Sequence, residues 1–439
     1  MSSSPSFAAI DFGTSNSAIA LPVGAGDVEL VELEPGHRTM PTAVFYRADV
    51  RAGDPEGSDR LFGRAAVAAY VEGVDGRLMR SMKSILGSSL VEQSTDVGGG
   101  RGVKYLDIIA GYLRHLKRRA EARAGGPISR LVLGRPVFFV DGEPERDAAA
   151  QAALESAARQ VGFREVLFQY EPIAAALDHE QRIDREQLVL VADIGGGTSD
   201  FSLVRVGPQR RAASDRRSDI LGNHGVHIAG TDFDRHVELG SILPLMGYRS
   251  TGPTGRAGEA PREVPSGIYF DLATWHLINT VYTPARVAEL RSMRSWYGDA
   301  RHHARLMQVL EERLGHALAG AAEQAKIDVA TDGRALIDLD LVEAGLQAEL
   351  AEAQAASVLE TDLARIVDAA RDTLQQAGLA AERVDVVYFT GGSTGLRPLV
   401  ERIAAVFPRA QSVRGDRFAS VAHGLGVFAR RVFGNADGA

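Results

Sequence analysis

Three times along the chain a short apolar run stops abruptly in small, turn-forming residues. The segments are Phe7-Ala-Ala-Ile-Asp-Phe-Gly-Thr-Ser-Asn-Ser17, Leu188-Val-Leu-Val-Ala-Asp-Ile-Gly-Gly-Gly-Thr-Ser-Asp200 and Val384-Asp-Val-Val-Tyr-Phe-Thr-Gly-Gly-Ser393. Brief apolar runs bounded by glycine predict buried strands rather than helices. The first two are a diverged internal repeat, each carrying Asp, then Gly, then Thr-Ser, with Asp11 and Asp193 in matching places. A duplicated strand–loop unit predicts two similar lobes that face each other across a cleft. The expected division is residues 1–187 and 188–420, changing over near the polar stretch Asp178 to Gln187, with a helical insert at about 235–330 and a C-terminal helix and tail at 421–439.

Helical patterns lie between these strands. Residues 146–161 put Ala150, Ala153, Leu154, Ala157, Ala158 and Val161 on one face before Gly162, and residues 358–377 do the same before Gly378. Strands alternating with such helices imply an α/β protein whose sheets are covered by helices. The 439 residues are 45% apolar and 24% charged, enough for a core without disulfides. Forty-nine basic residues against 57 acids give a net charge of −8, which speaks against general nucleic-acid binding. The absence of cysteine removes thiolate metal sites and cysteine nucleophiles, and fits a reducing cytoplasm. No run approaches the roughly 18 apolar residues of a membrane span, and the N-terminus lacks a basic leader region. No histidine spacing repeats a zinc pattern, the pair His302-His303 included. Glycine-rich loops are expected at 98–102 and 247–267, and a solvated loop at Gly207 to Asp219, where Arg210, Arg211, Arg216 and Arg217 mix with Asp215 and Asp219.

Loops of small residues let backbone N–H groups converge on an anion while Thr and Ser hydroxyls add donors. Gly13-Thr14-Ser15-Asn16 and Gly195-Gly196-Gly197-Thr198 both suit a phosphate. Asp11 and Asp193, at the ends of their strands, would orient a hydrated magnesium ion, which keeps several waters and needs only one or two carboxylates. Neither a kinase His-Arg-Asp loop nor a Walker A sequence is present.

These residues resemble the actin-like ATPases and, within them, the nucleotide-binding domain of the DnaK-type heat-shock chaperones. Ile10-Asp-Phe-Gly-Thr14 is similar to the first phosphate loop, Ala192-Asp-Ile-Gly-Gly-Gly-Thr-Ser-Asp200 to the second and Thr390-Gly-Gly-Ser-Thr394 to the adenosine segment. Met40-Pro-Thr42, Glu171-Pro-Ile-Ala-Ala-Ala176, Gly230-Thr-Asp-Phe-Asp234 and Ala322-Glu-Gln-Ala-Lys326 follow in the family's order. Phe168-Gln-Tyr-Glu-Pro172 and Ser81-Met-Lys-Ser-Ile-Leu-Gly87 are most similar to a YegD-like branch. The resemblance implies an actin-like fold of two lobes, each a mixed sheet flanked by helices, around a nucleotide cleft. It implies ATP or ADP with magnesium as ligands, Asp11 and Asp193 holding the ion through water, and Glu171, Asp193 and Asp200 placing metal and attacking water. Gly230, Glu323, Lys326, Gly391, Gly392 and Ser393 would line the nucleoside.

The departures from the family are specific. Gly63-Arg-Ala-Ala66 is followed by Val67 where the family has its catalytic lysine, so that lysine is expected to be missing; Lys83 fits a separate Lys-x-x-x-Gly pattern. Ile327 and Gly395 stand where adenosine-site arginines are usual. After the helix-patterned Val421, Leu425, Phe428 and Val432 the sequence reaches Ala439, with no substrate-binding domain expected. The implied function is a weakly hydrolysing, chaperone-like ATP-binding protein working with a client or co-chaperone. The alternatives are an impaired nucleotide sensor or scaffold and, less favoured, an actin-like filament protein or a sugar kinase.

Overall fold

A computed structural model describes residues 7–24, 27–49, 59–98, 101–253, 261–415 and 420–434. The middle of the expected loop at 247–267, two glycines of that at 98–102 and the end of the tail lie outside the described residues.

The two repeat segments form hairpins at equivalent positions in two mixed sheets. Phe7–Phe12 pairs antiparallel with Asn16–Val23 and parallel with Arg130–Arg135, which pairs parallel with Glu165–Tyr170. Gln187–Ile194 pairs antiparallel with Ser199–Val206 and parallel with Val386–Thr390, which pairs parallel with Gln411–Arg414. Asp27–Leu30 extends the first hairpin, and Ile220–Val226 the second. The repeat legible in a dozen residues is therefore a repeat of whole-sheet topology, and the fold is α/β with mixed sheets flanked by helices.

Each parallel crossover carries a helix. Pro144–Gln160 starts on a proline with Glu145 and Asp147 in its first turn, where they favour the positive end of the macrodipole, and it buries Ala150, Leu154, Ala157 and Ala158. The pattern at 358–377 resolves into Glu352–Val358 and Glu360–Ala377, the second closed by Gly378 at φ +64°.

Two helices, Glu171–Arg182 and Ser420–Phe433, lie in a core shared by both sheets: Ile173 to Leu177, Leu425 and Phe428 are buried with Ala9 and Val132 of one sheet and Val189 and Val204 of the other. A Cβ at Gly424 would sit 1.9 Å from the carbonyl oxygen of Ala174, so these helices meet backbone to backbone. Beside the first sheet stands a small one of Ala43–Arg47, Arg60–Phe62 and Gly76–Arg80, covered by the helix Gly63–Val71. The second sheet carries a largely helical unit with its own core, from Val237 to Ala355, closed by the hairpin Arg334–Asp338 and Gln347–Ala351.

Two expectations are corrected. The helical pattern that runs in the sequence from about Leu306 to Val329, and would predict one helix, is instead two, Ala300–Glu311 and Gly315–Asp332, because Arg313 takes φ +55° and the Gly315 N–H donates to the Tyr282 hydroxyl. The stretch 207–219 is not wholly solvated. Arg216 is 1% exposed, bound to Glu180 and Asp219, and Arg211 donates to the carbonyls of Glu180 and Ile183 at the end of the helix Glu171–Arg182. Mixed charge here marks internal pairing with a distant carboxylate rather than a wet face.

Candidate functional site

The first loop is held from outside its own hairpin. Thr42 donates its hydroxyl to the Gly13 carbonyl at 2.8 Å and its N–H to the Ser15 carbonyl at 2.9 Å, while Met40 and Pro41 pair with Ser17 and Asn16. This gives the Met40-Pro-Thr42 motif its physical meaning. Gly13 is required because a Cβ there would lie 2.2 Å from the Asn16 carbonyl oxygen.

The second loop is a tight hairpin in which the Gly195 N–H donates to the Thr198 carbonyl. Its carbonyls are tied down by the rest of the half: Gly195 accepts from Gly230 N–H and from the Ser393 hydroxyl at 2.7 Å, and Gly196 accepts from the N–H and hydroxyl of Thr231. Carbonyls drawn backwards leave the loop's N–H edge for another ligand. The third segment is packed equally closely. Gly391, at φ +88°, would place a Cβ 2.3 Å from the Ile194 carbonyl oxygen and 2.7 Å from Asp193 Oδ1. The two phosphate-suited loops face each other, since a Cβ at Gly196 would lie 2.6 Å from Ser15 Oγ.

Between the loops lies a cluster of charge. Asp11 and Asp193 stand near the ends of equivalent strands, Asp200 pairs across the hairpin from Asp193, and Glu171 opens its helix ahead of Pro172. Thr198 Oγ1 donates to Asp200 Oδ2 at 2.7 Å. Into this group Lys83 sends its ammonium, with Nζ 2.5 Å from Glu171 Oε1 and both side chains mostly buried. The site therefore has a lysine after all, delivered by the one-turn segment Met82–Ile85 rather than from position 67.

Burial, Glu171 and Asp193 push Asp11 up to about 8 against the pull of Lys83. Burial, Asp200 and Glu171 push Asp193 up to about 7, and burial also raises Asp200. Burial works to depress Lys83, but Glu171, Asp11 and Asp193 outweigh it and hold the ammonium above its ordinary value. Four carboxylates facing one ammonium are short of positive charge, and a hydrated divalent cation suits that deficit. Among the described residues no three His, Asp or Glu side chains are grouped to chelate an ion directly.

Along the cleft, Lys326 on the helix Gly315–Asp332 pairs with Asp234 at 2.5 Å and reaches the Gly230 carbonyl at 3.3 Å. Glu323, one turn earlier, interacts with Arg80. Gly392 and Ser393 follow Gly391 in a short turn, and Ser393 is nearly buried. Ile327 is 47% exposed and Gly395 is buried.

The sequence reading missed several participants. Gly225 backs Asp200, whose Oδ1 a Cβ there would meet at 2.4 Å. Asp234, at the end of the Gly230–Asp234 motif, is the carboxylate that holds Lys326. Across the mouth of the cleft, Tyr70 of the first half stacks on Trp275 of the helical unit at 4.9 Å, with Arg80 over the same indole at 4.3 Å and His316 against both rings. Only the spacing of Tyr70 from Gly63-Arg-Ala-Ala66 could have drawn notice to it.

A family profile described as Hsp70 protein matches residues 7–238 and 300–437. The chaperone protein DnaK of Mycoplasmoides gallisepticum is 25% identical over 408 residues, 91% of this chain and 55% of that one. The chaperone protein HscA of Serratia proteamaculans is 26% identical over 437 residues, 98% of this chain and 58% of the relative. DnaK of Thermosipho melanesiensis is 30% identical over 230 residues, 52% of this chain and 34% of its own. The chain thus spans little more than half the length of the relatives it matches most fully. The stretch outside the profile, 239–299, contains Trp275.

Proposed function

The chain belongs to the Hsp70 family, and from that premise we propose that it binds ATP and ADP with magnesium between its two glycine hairpins and hydrolyses ATP slowly. The observation that carries this reading is the convergence of Asp11, Lys83, Glu171, Asp193 and Asp200 between loops whose carbonyls are already engaged. The loops at 13–16 and 195–198 bind the β- and γ-phosphates through backbone N–H groups other than that of Gly195, which is engaged by Thr198, and Asp11 and Asp193 would orient the ion through water. Magnesium supplies neutralisation of phosphate charge. Glu171 and Asp200 orient the attacking water, Gly391, Gly392 and Ser393 pack one side of the nucleoside, and Glu323 and Lys326 the other. The remaining work is positioning and charge stabilisation, which such a set can supply. Phe168–Pro172 and Ser81–Gly87 favour a place near the YegD-like branch.

A phosphate gripped by both loops favours closure of one half on the other, and its release favours opening; this population shift is what a client or co-chaperone protein would read. No helix among the described residues is long and apolar enough to cross a membrane, and the cytoplasm is the proposed setting.

The experiment is equilibrium binding of Mg-ATP and Mg-ADP with single-turnover hydrolysis, beside Asp193→Asn. Binding with turnover above that variant supports the ATPase. Binding without turnover supports the second reading, a nucleotide-sensing scaffold, which Ile327 and Gly395 favour because they offer no guanidinium to the base. Absence of binding refutes both.

A further inference from the structure

We infer that Lys83 is the cation that meets the transferring phosphoryl group, in place of a lysine at position 67; the inference rests on the nucleotide reading above. Val67 is turned to other work, packed against the small cluster of Ala43, Phe45, Ala66 and Ala69 that supports the first half's small sheet. Of the chain's four lysines, Lys83 is the one that enters the carboxylate cluster, where Glu171, Asp11 and Asp193 all act on it.

Its delivery is built into the backbone. The strand Gly76–Arg80 ends at Ser81, which takes φ +53° and ψ +35°, a left-handed conformation uncommon for a residue with a Cβ. Ser84 donates its hydroxyl to the Ser81 carbonyl at 2.7 Å, and Met82 and Leu86 are each 1% exposed. The turn thus buries Met82 and Leu86 while Lys83, between them in sequence, reaches Glu171 at the start of the helix Glu171–Arg182. Strain of this kind persists where the surroundings over-determine it, and here it aims one side chain. A lysine that served only solubility would need none of it.

In the step assigned, the oxygen of water forms a bond to the γ-phosphorus while the bond from that phosphorus to the β,γ-bridging oxygen breaks. The electron pair leaves on ADP, and a proton of the water passes to a neighbouring carboxylate and on to solvent. Lys83 donates to the phosphoryl oxygens, on which negative charge is concentrated as the group transfers. Before nucleotide enters, the same ammonium is held by Glu171, so substrate binding exchanges one anionic partner for another.

The competing account is that Lys83 merely neutralises Glu171, and a double-mutant comparison separates the two. The full chain, Lys83→Met, Glu171→Gln and the double variant are titrated with Mg-ADP alone and with Mg-ADP plus aluminium fluoride, a planar stand-in for the group in transfer. Single-turnover hydrolysis is followed in parallel. Lys83→Met is expected to lower the hydrolysis rate about 10²–10³-fold and to weaken the aluminium fluoride complex by a similar factor relative to ADP alone, in both backgrounds. Lys83→Gln, which retains a neutral donor, falls between and serves if the methionine variant unfolds. An effect that vanishes in the Glu171→Gln background overturns the inference in favour of simple neutralisation. A wild-type chain that binds Mg-ADP but neither hydrolyses ATP nor retains aluminium fluoride overturns it and leaves nucleotide binding standing. A wild-type chain that binds no nucleotide overturns the nucleotide reading itself.

Discussion

Replacing Gly391 with alanine tests whether the third glycine segment is a structural brace for Asp193. Two penalties are separable. At φ +88° and ψ +149° a Cβ enters a backbone region that glycine alone occupies readily, at about 1–3 kcal/mol. At this position the Cβ also lands 2.3 Å from the Ile194 carbonyl oxygen, a backbone atom in a paired strand that cannot swing away, and 2.7 Å from Asp193 Oδ1. Overpacking of a rigid neighbour adds about 1–3 kcal/mol, so a total of about 2–6 kcal/mol is expected. Gly378 supplies the control: its φ is +64°, and nothing lies within 4 Å of an added Cβ. Gly378→Ala should therefore show only the conformational part. Urea unfolding of both variants gives the stabilities, and calorimetric titration with Mg-ADP gives the affinities. Only Gly391→Ala should weaken nucleotide binding, because only it displaces Asp193. Equal losses of stability with unchanged Mg-ADP affinity in both variants would refute the argument.

Three further outcomes are expected. Arg216→Met leaves Glu180 buried without its cation, while Asp219 keeps Arg210, and should cost about 3–5 kcal/mol in urea unfolding; a loss below about 1 kcal/mol would mean that water reaches Glu180. Tyr70→Ala should remove the stacking contact that links the two halves at Trp275 and speed release of a fluorescent ADP analogue, with tryptophan emission shifting to the red; an unchanged spectrum would show that the clasp does not hold in solution. Asp11 and Asp193 are held at about 8 and about 7, above the ordinary 3.8, so the folded chain keeps protons that the unfolded chain gives up, and that stability is lost as pH rises through those values. His115 and His316, depressed to about 4 from 6.5, act in the opposite sense, because near pH 6.5 the unfolded chain still protonates them, but that contribution is nearly complete by about pH 7.5 and is smaller than the loss from the two carboxyls. The nucleotide-free chain should melt at a lower temperature at pH 8.5 than at about pH 6.5, and Asp11→Asn should flatten the slope.

What the residues disclosed in advance was local. A strand that ends in Asp and then glycine carries its own signal of strand, turn and carboxylate within ten positions, and both hairpins with Asp11 and Asp193 lie where that signal put them. Gly230 and Ser393 could be named only through the resemblance of their motifs, and the structure ties both to Gly195. The residues that escaped act over long separations. Lys83 finds Glu171 88 positions away, through a left-handed Ser81 that no propensity predicts. Arg216 finds Glu180 36 positions away, and the density of charge around it pointed to solvent. A run of mixed charge is the same string of letters whether it faces water or a buried partner; the strands that bring the partner decide.

The positions of pivot and clasp set what the proposed phosphate grip can move. At one end of the cleft the helices Glu171–Arg182 and Ser420–Phe433 touch backbone to backbone at Ala174 and Gly424, inside a core that both sheets share. That joint has no slack to absorb a shift. At the other end the halves meet through Tyr70, Trp275, Arg80 and His316, rings and a guanidinium whose stacking contributes on the order of 0.5–1.5 kcal/mol beyond buried area. The loops at Ser15 and Gly196 meet across the two halves. A ligand bridging the loops acts on the weak end without straining the tight one. A differential affinity of about 1.4 kcal/mol already changes the ratio of open to closed forms tenfold. Glu171 ties the two ends together chemically, for it begins the pivot helix and holds Lys83. In the proposed exchange a phosphate takes Lys83 from Glu171, and the first residue of that helix would then lose its cation, which would write the state of the nucleotide onto the element that joins the halves.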